Sequence, residues 1–123
     1  MSSPHKTTLV LGASENPQRY SYLAVNLLRE HGHPVIAIGQ KAGQVNDVPV
    51  ETLPRPIQNL DTVTLYLSPT HQTAYYSYLL DLHPSRVIFN PGTENPELEE
   101  LLQKNQITFQ RACTLVLLQT GQY

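Results

Sequence analysis

The stretch from Thr7 to Leu28 reads TTLVLGASENPQRYSYLAVNLL, and it decides the fold class. Thr7 to Leu11 is a short β-rich run ended by Gly12. Leu23, Ala24, Leu27 and Leu28 then repeat at helical spacing until Gly32 closes the segment as a C-cap. The order is strand, loop, helix. Outward from there, Val35-Ile36-Ala37-Ile38 is a continuous apolar run of the kind buried on both faces of a parallel sheet, and Gly39 breaks it. Thr62 to Leu67, dense in β-branched and aromatic residues, is the next strand and stops at Ser68-Pro69, because the residue before a proline is biased away from helix. Thr70 to Leu82 turns helical, Arg86 to Phe89 returns to strand, and Asn95-Pro96 starts a helix with Asn as N-cap and Pro at the first helical position. Leu98, Leu101 and Leu102 form its apolar stripe, and Ile107 to Phe109 and Thr114 to Leu118 read as further strands. Residues 40–60, which hold Pro49, Pro54 and Pro56, read as irregular, with one short edge strand around Val45 to Val48 and a helical turn near Ile57. This alternation is the signature of βαβ units. The expected fold is therefore Rossmann-like α/β: an open parallel sheet of about five strands with helices on both faces, with residues 1–123 as a single domain.

Composition narrows the function. The chain of 123 residues is 40% hydrophobic and 15% charged, enough apolar matter for one core and too little charge for a disordered segment. A net charge of -2 without a basic run leaves no source for the counterion release that drives nucleic-acid binding. The single cysteine, Cys113, builds no disulfide framework, scattered histidines argue against a structural metal, and a reducing cytoplasm is the expected setting. The N-terminal residues 1–6 lead into an apolar stretch too short for a signal peptide, and no run approaches the roughly 20 residues of a membrane span.

In open parallel sheets, ligands bind outside the carboxyl ends of the strands. Four loops matter on that rule: Gly12 to Ser21, Gly39 to Gly43, Ser68 to Thr70, and Asn90 to Asn95. The first has only one glycine of the G-x-G-x-x-G dinucleotide fingerprint, and it is longer than that fingerprint allows. Two readings stand. Small Gly12, Ala13 and Ser14 leave backbone amides approachable, while Arg19 forks onto a phosphate and Ser21 bonds an oxygen; or this is a plain strand-to-helix loop whose Ser21 is an N-cap. Where NAD-binding folds carry an acid for the ribose, the end of the second strand reads Gly39-Gln40-Lys41. A lysine there suits a phosphorylated ribose, which disfavours NAD and leaves NADP or coenzyme A; the alternative is a solvated surface lysine. Charge agrees with the first half as the anion-friendly one. Residues 1–50 carry four cations against three carboxylates, whereas Glu94 and Glu97 at the late helix start repel a phosphate there.

The chain has no phosphate-loop or zinc-protease motif, and Gly12-Ala13-Ser14-Glu15-Asn16 lacks the closing glycine of a nucleophile elbow, so no catalytic residue is assigned. His31 and His33 flank Gly32 at a helix end, where capping outweighs metal ligation. Tyr75, Leu79 and Leu82 make a packing stripe rather than an aromatic cage, and Cys113 near Arg111 is read as an inert thiol.

The block Val10-Leu11-Gly12-Ala13-Ser14-Glu15-Asn16-Pro17 with Arg19 and Ser21, then Glu30-His31-Gly32-His33, Asn90-Pro91-Gly92-Thr93-Glu94 and Arg111-Ala112-Cys113, resembles the small stand-alone CoA-binding proteins. These are relatives of the CoA-binding domain of the succinyl-CoA synthetase alpha subunit. The resemblance implies a five-stranded Rossmann-like sheet holding CoA, with Gly12, Ala13 and Ser14 near the phosphates and Arg19, Ser21 and Tyr22 lining the entrance. It puts the loop after the second strand, which holds Lys41, on the adenosine side and Ser68-Pro69 across the cleft; the position of the Asn90-Pro91-Gly92 turn on the same edge adds Gly92 as a wall of the pocket. The chain departs from the family twice: Ile38-Gly39-Gln40-Lys41 replaces the common Val-Asn-Pro, and Gln110-Arg111-Ala112-Cys113 lacks the Asp or Asn that commonly precedes Arg-Cys. The family has no generally established reaction.

The expected function is binding of CoA or an acyl-CoA by a carrier, sensor or accessory module without catalysis of its own. The alternative is an NADP-binding or acyl-CoA-processing enzyme. No nucleic-acid or membrane partner is expected, and a homodimer or protein partner would use the C-terminal strand, Leu115 to Leu118, as an exposed edge. The ten prolines fit a stiff cleft, since Pro17, Pro69 and Pro91 fall in three of the four loops and Pro96 starts the last long helix.

Overall fold

The computed structural model describes residues 5–123; Met1 to Pro4, part of the N-terminal stretch considered above, lie outside the described residues. Strand β1 (Thr8–Leu11) is the centre of a seven-stranded sheet. It pairs in parallel with β2 (Val35–Ile38) on one side and β5 (Thr62–Leu65) on the other. Strands β6 (Arg86–Phe89) and β7 (Thr108–Arg111) continue in parallel beyond β5. Beyond β2 lies the hairpin of β3 (Gly43–Val45) and β4 (Val48–Glu51), with β4 parallel to β2 and β3 antiparallel at the edge. The order β3-β4-β2-β1-β5-β6-β7 contains the doubly wound core, and its direction reverses between β1 and β5.

The fold is Rossmann-like as expected, with seven strands rather than five. The surplus comes from the segment read as irregular. Asn46 takes the left-handed φ of 55° that a two-residue hairpin turn needs, which asparagine tolerates, and Val45 and Val48 both bury. No helix forms near Ile57; residues 54–57 have no regular structure, a turn follows at 58–59, and the Tyr78 hydroxyl ties the segment down by donating to Arg55 O at 2.6 Å.

All four residues of β1 and of β5 are buried, the pattern of strands covered on both faces. Helix α1 (Tyr20–Glu30) turns Ser21, Ala24, Val25 and Leu28 inward over Val10 and Ala37. It ends in a Schellman motif: Gly32 at φ 82° lets its amide reach Arg29 O (3.0 Å) and the His33 amide reach Leu28 O (3.0 Å). The opposite face is covered by Leu79 of α3 (Tyr76–Leu82) and by Leu98 and Leu102 of α4 (Pro96–Lys104), packed on Leu9, Val63, Val87 and Phe89. Tyr75, Tyr76 and Tyr78 join this packing. Asn95 caps α4 through its side-chain oxygen, with the Leu98 amide at 3.3 Å. The expected helix from Thr70 to Leu82 is three pieces, since α2 (Pro69–Gln72) and a 3₁₀ turn (Thr73–Tyr75) precede α3.

The C-terminal strand is a correction. Thr114–Gln119 is a helix, α5, that lies beside α1 and buries Thr114 and Leu118, one turn apart, on the sheet. An apolar run of five residues fits strand and helix equally by periodicity. The decision is tertiary: Asn90 Oδ1 accepts the Thr114 amide at 2.9 Å and the Thr114 hydroxyl meets Thr64 Oγ1 at 2.8 Å, which anchors a first helical turn. The sheet edges are β3 and β7, so Leu115 to Leu118 offer no exposed strand to a partner.

Candidate functional site

The central strands end flush. Leu11 stands opposite Ile38 and Leu65, Leu65 opposite Phe89, and Phe89 opposite Arg111, so the loops after β1, β2, β5, β6 and β7 leave along one edge. The edge includes the β1/β5 switch point, from which the two loops run to opposite faces, the place where open α/β sheets bind their ligands.

The first loop is stitched to itself and to its neighbours. Ser14 Oγ accepts the Asn16 amide (3.0 Å), Asn16 Oδ1 accepts the Gln18 amide (3.0 Å), and Asn16 O accepts the Arg19 amide (3.0 Å). Gly12 sits at φ 96°, and a Cβ there would stand 2.9 Å from the Tyr66 carbonyl carbon, so glycine is required where the two loops touch. The Gly12 and Ala13 amides, read from sequence as approachable, both donate to Ile38 O, at 2.8 and 2.9 Å. They lock β1 to β2 rather than facing outward. Gly39 completes the lock, because a Cβ there would overlap Ala13 O. Glu15 leaves the loop sideways, with its carboxylate accepting the Gln44 amide at 3.2 Å.

Helix α1 begins at Tyr20, so Arg19 rather than Ser21 is its N-cap, and Ser21 is buried inside the first turn. No side chain caps this end and no acid occupies its first turn. An uncapped helix N-terminus presents amide donors and positive potential. Arg19 is exposed at the same point. Tyr20 beside it is 71% exposed, and helical periodicity does not single it out because it falls just before the stripe. Tyr22, in contrast, packs partly buried against the α1 face of the core.

The distribution of unpaired charge is uneven. Arg29 binds Asp47, Arg55 binds Glu51, Lys104 binds Glu100 and Arg111 binds Glu99. Lys6 and Arg86 lie against Tyr123 at the opposite, amino end of the sheet. Among the described residues, Arg19 and Lys41 are the cations with neither a salt bridge nor a side-chain hydrogen bond, and both project from loops of the carboxyl edge. Arg111 grips Glu99 with two hydrogen bonds of 2.7 and 2.8 Å, so it is committed away from Cys113.

The other wall is built by buried amides. Asn90 donates to Thr64 Oγ1 (2.7 Å) and Leu65 O (2.9 Å) while accepting from Thr114, which ties the ends of β5 and β6 to α5. Gln72, fully buried, donates to Leu67 O (2.9 Å) and Thr93 O (2.8 Å) and accepts from Asn95 Nδ2 (2.9 Å). Between them these two side chains hold Ser68-Pro69 and the Gly92 turn in place. Gly92, at φ 92°, gives its amide to Glu94 Oε1 at 2.9 Å. The Tyr66 hydroxyl is buried with no hydrogen-bond partner, and burial pushes its pKa up to about 12, so it stays a neutral phenol. Among the described residues, no group of three or more His, Cys, Asp or Glu is placed to hold a metal ion, and no helix is long and apolar enough to cross a membrane.

The family model of the CoA binding domain matches residues 6–119. Among solved structures, the crystal structure of an uncharacterized protein is 47% identical, with a TM-score of 0.95 over 98% of this chain and 100% of that one. Cell-free ID.343 from Thermus thermophilus, at 24% identity, shares the fold with a TM-score of 0.83 over 97% of this chain and 91% of its own. A hypothetical protein from Pyrococcus horikoshii OT3, 21% identical, does so with a TM-score of 0.80 over 91% of this chain and 80% of its own. No curated protein matches the chain.

Proposed function

The chain belongs to the CoA binding domain family, and on that premise we propose that it binds coenzyme A or an acyl-CoA across the carboxyl edge of its sheet, as a carrier, sensor or accessory module. The observation that carries this reading is the pairing of free charge with free donors: Arg19 at the uncapped start of α1 and Lys41 in the loop after β2, on the same edge, are unpaired among the described residues. A ligand with a pyrophosphate and a separate ribose phosphate needs anion sites on adjacent loops. In this assignment Ser14, Arg19 and the first-turn amides of Tyr20 and Ser21 take the pyrophosphate, and Lys41 takes the ribose phosphate. Gly12 and Ala13 form the floor, Tyr22 supports it from within, and Ser68, Pro69 and Gly92 make the far wall. Residues 1–123 act as one CoA-binding unit, and the single thiol suits a reducing cytoplasm.

Thermal unfolding with CoA, acetyl-CoA and NADP tests the assignment. Ligand at 100 times its Kd contributes about 2.7 kcal/mol, a shift of several degrees for a domain of this size. Both CoA species are expected to produce it, and Arg19→Ala and Lys41→Ala to weaken it. A shift with NADP alone moves the function to the rival nucleotide.

A further inference from the structure

We propose that Ser68 and His71 form a nucleophile–base pair that hydrolyses acyl-CoA thioesters, so that a bound acyl group is slowly discharged. The inference rests on the reading of the carboxyl edge as the CoA cleft. Ser68 Oγ lies 2.9 Å from His71 Nδ1. A serine at a helix N-cap ordinarily accepts a first-turn amide. Ser68 occupies that position in α2, yet its side chain caps no amide and meets the imidazole instead. Both residues are exposed, hence open to a ligand. They follow β5 at the switch point, with Leu67 beside Gly12 of the facing loop.

The pair is held by its surroundings. His71 and Gln72 amides donate to Ser68 O at 3.0 and 3.2 Å, and Pro69 fixes the first helical φ. Gln72, adjacent to His71 and itself buried, is anchored by three side-chain hydrogen bonds to the loops on either side. A nucleophile and base on so fixed a segment lose little freedom on reaching the reactive geometry.

With the imidazole proton on Nε2, the Ser68 hydroxyl donates to Nδ1. Attack of Oγ on the thioester carbonyl forms the C–O bond as the proton passes to Nδ1. Collapse breaks the C–S bond, and the departing thiolate takes that proton, leaving acyl-serine and CoA. Water, losing a proton to His71, then attacks the acyl ester, and Ser68 recovers its hydroxyl proton as the carboxylic acid departs. The net reaction is acyl-CoA plus water to acid plus CoA. Among the described residues no carboxylate hydrogen-bonds the His71 ring, so the third member that orients a triad histidine is missing and turnover is expected to be slow.

The test exposes the full chain to p-nitrophenyl acetate and to acetyl-CoA. Any acyl adduct is mapped by peptide mass spectrometry, and thioester cleavage is followed by chromatography. The expected result is acetyl on Ser68 from both reagents, with cleavage lowered about 100-fold or more by Ser68→Ala and by His71→Gln and unchanged by Cys113→Ser. An adduct elsewhere, or cleavage insensitive to both substitutions, overturns the inference. A CoA-induced thermal shift with no acylation by either reagent overturns it alone and leaves CoA binding standing. Acylation of Ser68 by p-nitrophenyl acetate without CoA shift or acetyl-CoA cleavage removes the CoA reading and this substrate with it.

Discussion

Replacing Asn90 with alanine tests whether a buried amide, rather than packing alone, sets the geometry of the carboxyl edge. Asn90 is 3% exposed and makes three side-chain hydrogen bonds: to Thr64 Oγ1 at 2.7 Å, to Leu65 O at 2.9 Å and from the Thr114 amide at 2.9 Å. Truncation leaves the buried Thr114 amide without its acceptor, at about 1–3 kcal/mol for an orphaned backbone donor. Thr64 Oγ1 keeps Thr114 Oγ1 as a partner, so the two donor bonds are worth about 0.5–1.5 kcal/mol each. The expected loss is therefore about 2–6 kcal/mol, a large part of the roughly 5–15 kcal/mol that holds a domain together. Urea unfolding followed by circular dichroism measures it as a lower midpoint at unchanged slope, the mark of altered stability rather than altered compactness. Asn90→Asp keeps the acceptor for Thr114 but removes both donors and sets a carboxylate against Leu65 O, so it too must destabilise, and less at acid pH where protonation restores one donor. A loss under about 1 kcal/mol for the alanine variant refutes the reasoning, since even the orphaned amide alone costs that much.

Two further outcomes follow from other contacts. Gly39→Ala pushes a methyl into Ala13 O, so β2 and the first loop separate; overpacking of this kind costs about 1–3 kcal/mol, and the CoA-induced thermal shift is expected to shrink along with the melting temperature. An unchanged shift would mean that the Gly12–Arg19 loop is not part of the cleft. Burial lowers the pKa of His33, and the charges of His5, His31 and Lys6 lower it further, while its Nδ1 accepts the Lys6 amide at 2.9 Å. The unfolded chain therefore takes up the proton first as pH falls through 6.5, and stability drops from there toward the folded pKa. His33→Gln keeps an acceptor that does not titrate and should flatten that part of a pH–stability profile; an equally steep profile in the variant would assign the slope elsewhere.

Much of the fold was legible because its determinants are local. Val35 to Ile38 and Arg86 to Phe89 match their strands residue for residue, since a buried parallel strand is written as a continuous apolar run. Gly32 and Asn95 end and start helices through bonds between residues three to five apart, which a one-dimensional pattern carries. The site was legible in outline, because strand ends and their loops follow from the alternation, and Arg19 and Lys41 stand out against an otherwise acidic chain. Ser68 and His71 are only three apart and were legible in principle, but a proline-led helix start reads as a cap until the hydroxyl is seen to turn to the imidazole.

What the sequence could not carry are the outcomes that depend on partners far along the chain. Thr114 to Leu118 suits strand or helix equally, and Asn90 and Thr64, 24 and 50 residues away, select the helix. Gly12 and Ala13 look like open amides until Ile38 is found accepting both, and Gly39 looks like a strand breaker until it is found beneath Ala13. By itself the sequence determined the central parallel strands, the caps of the long helices and which loops share an edge, because hydrophobic period and capping act within a few residues. Tertiary structure alone decided which donors and charges on that edge stay free for a ligand, because a hydrogen-bond donor is spent or spared only once the distant acceptor has folded against it.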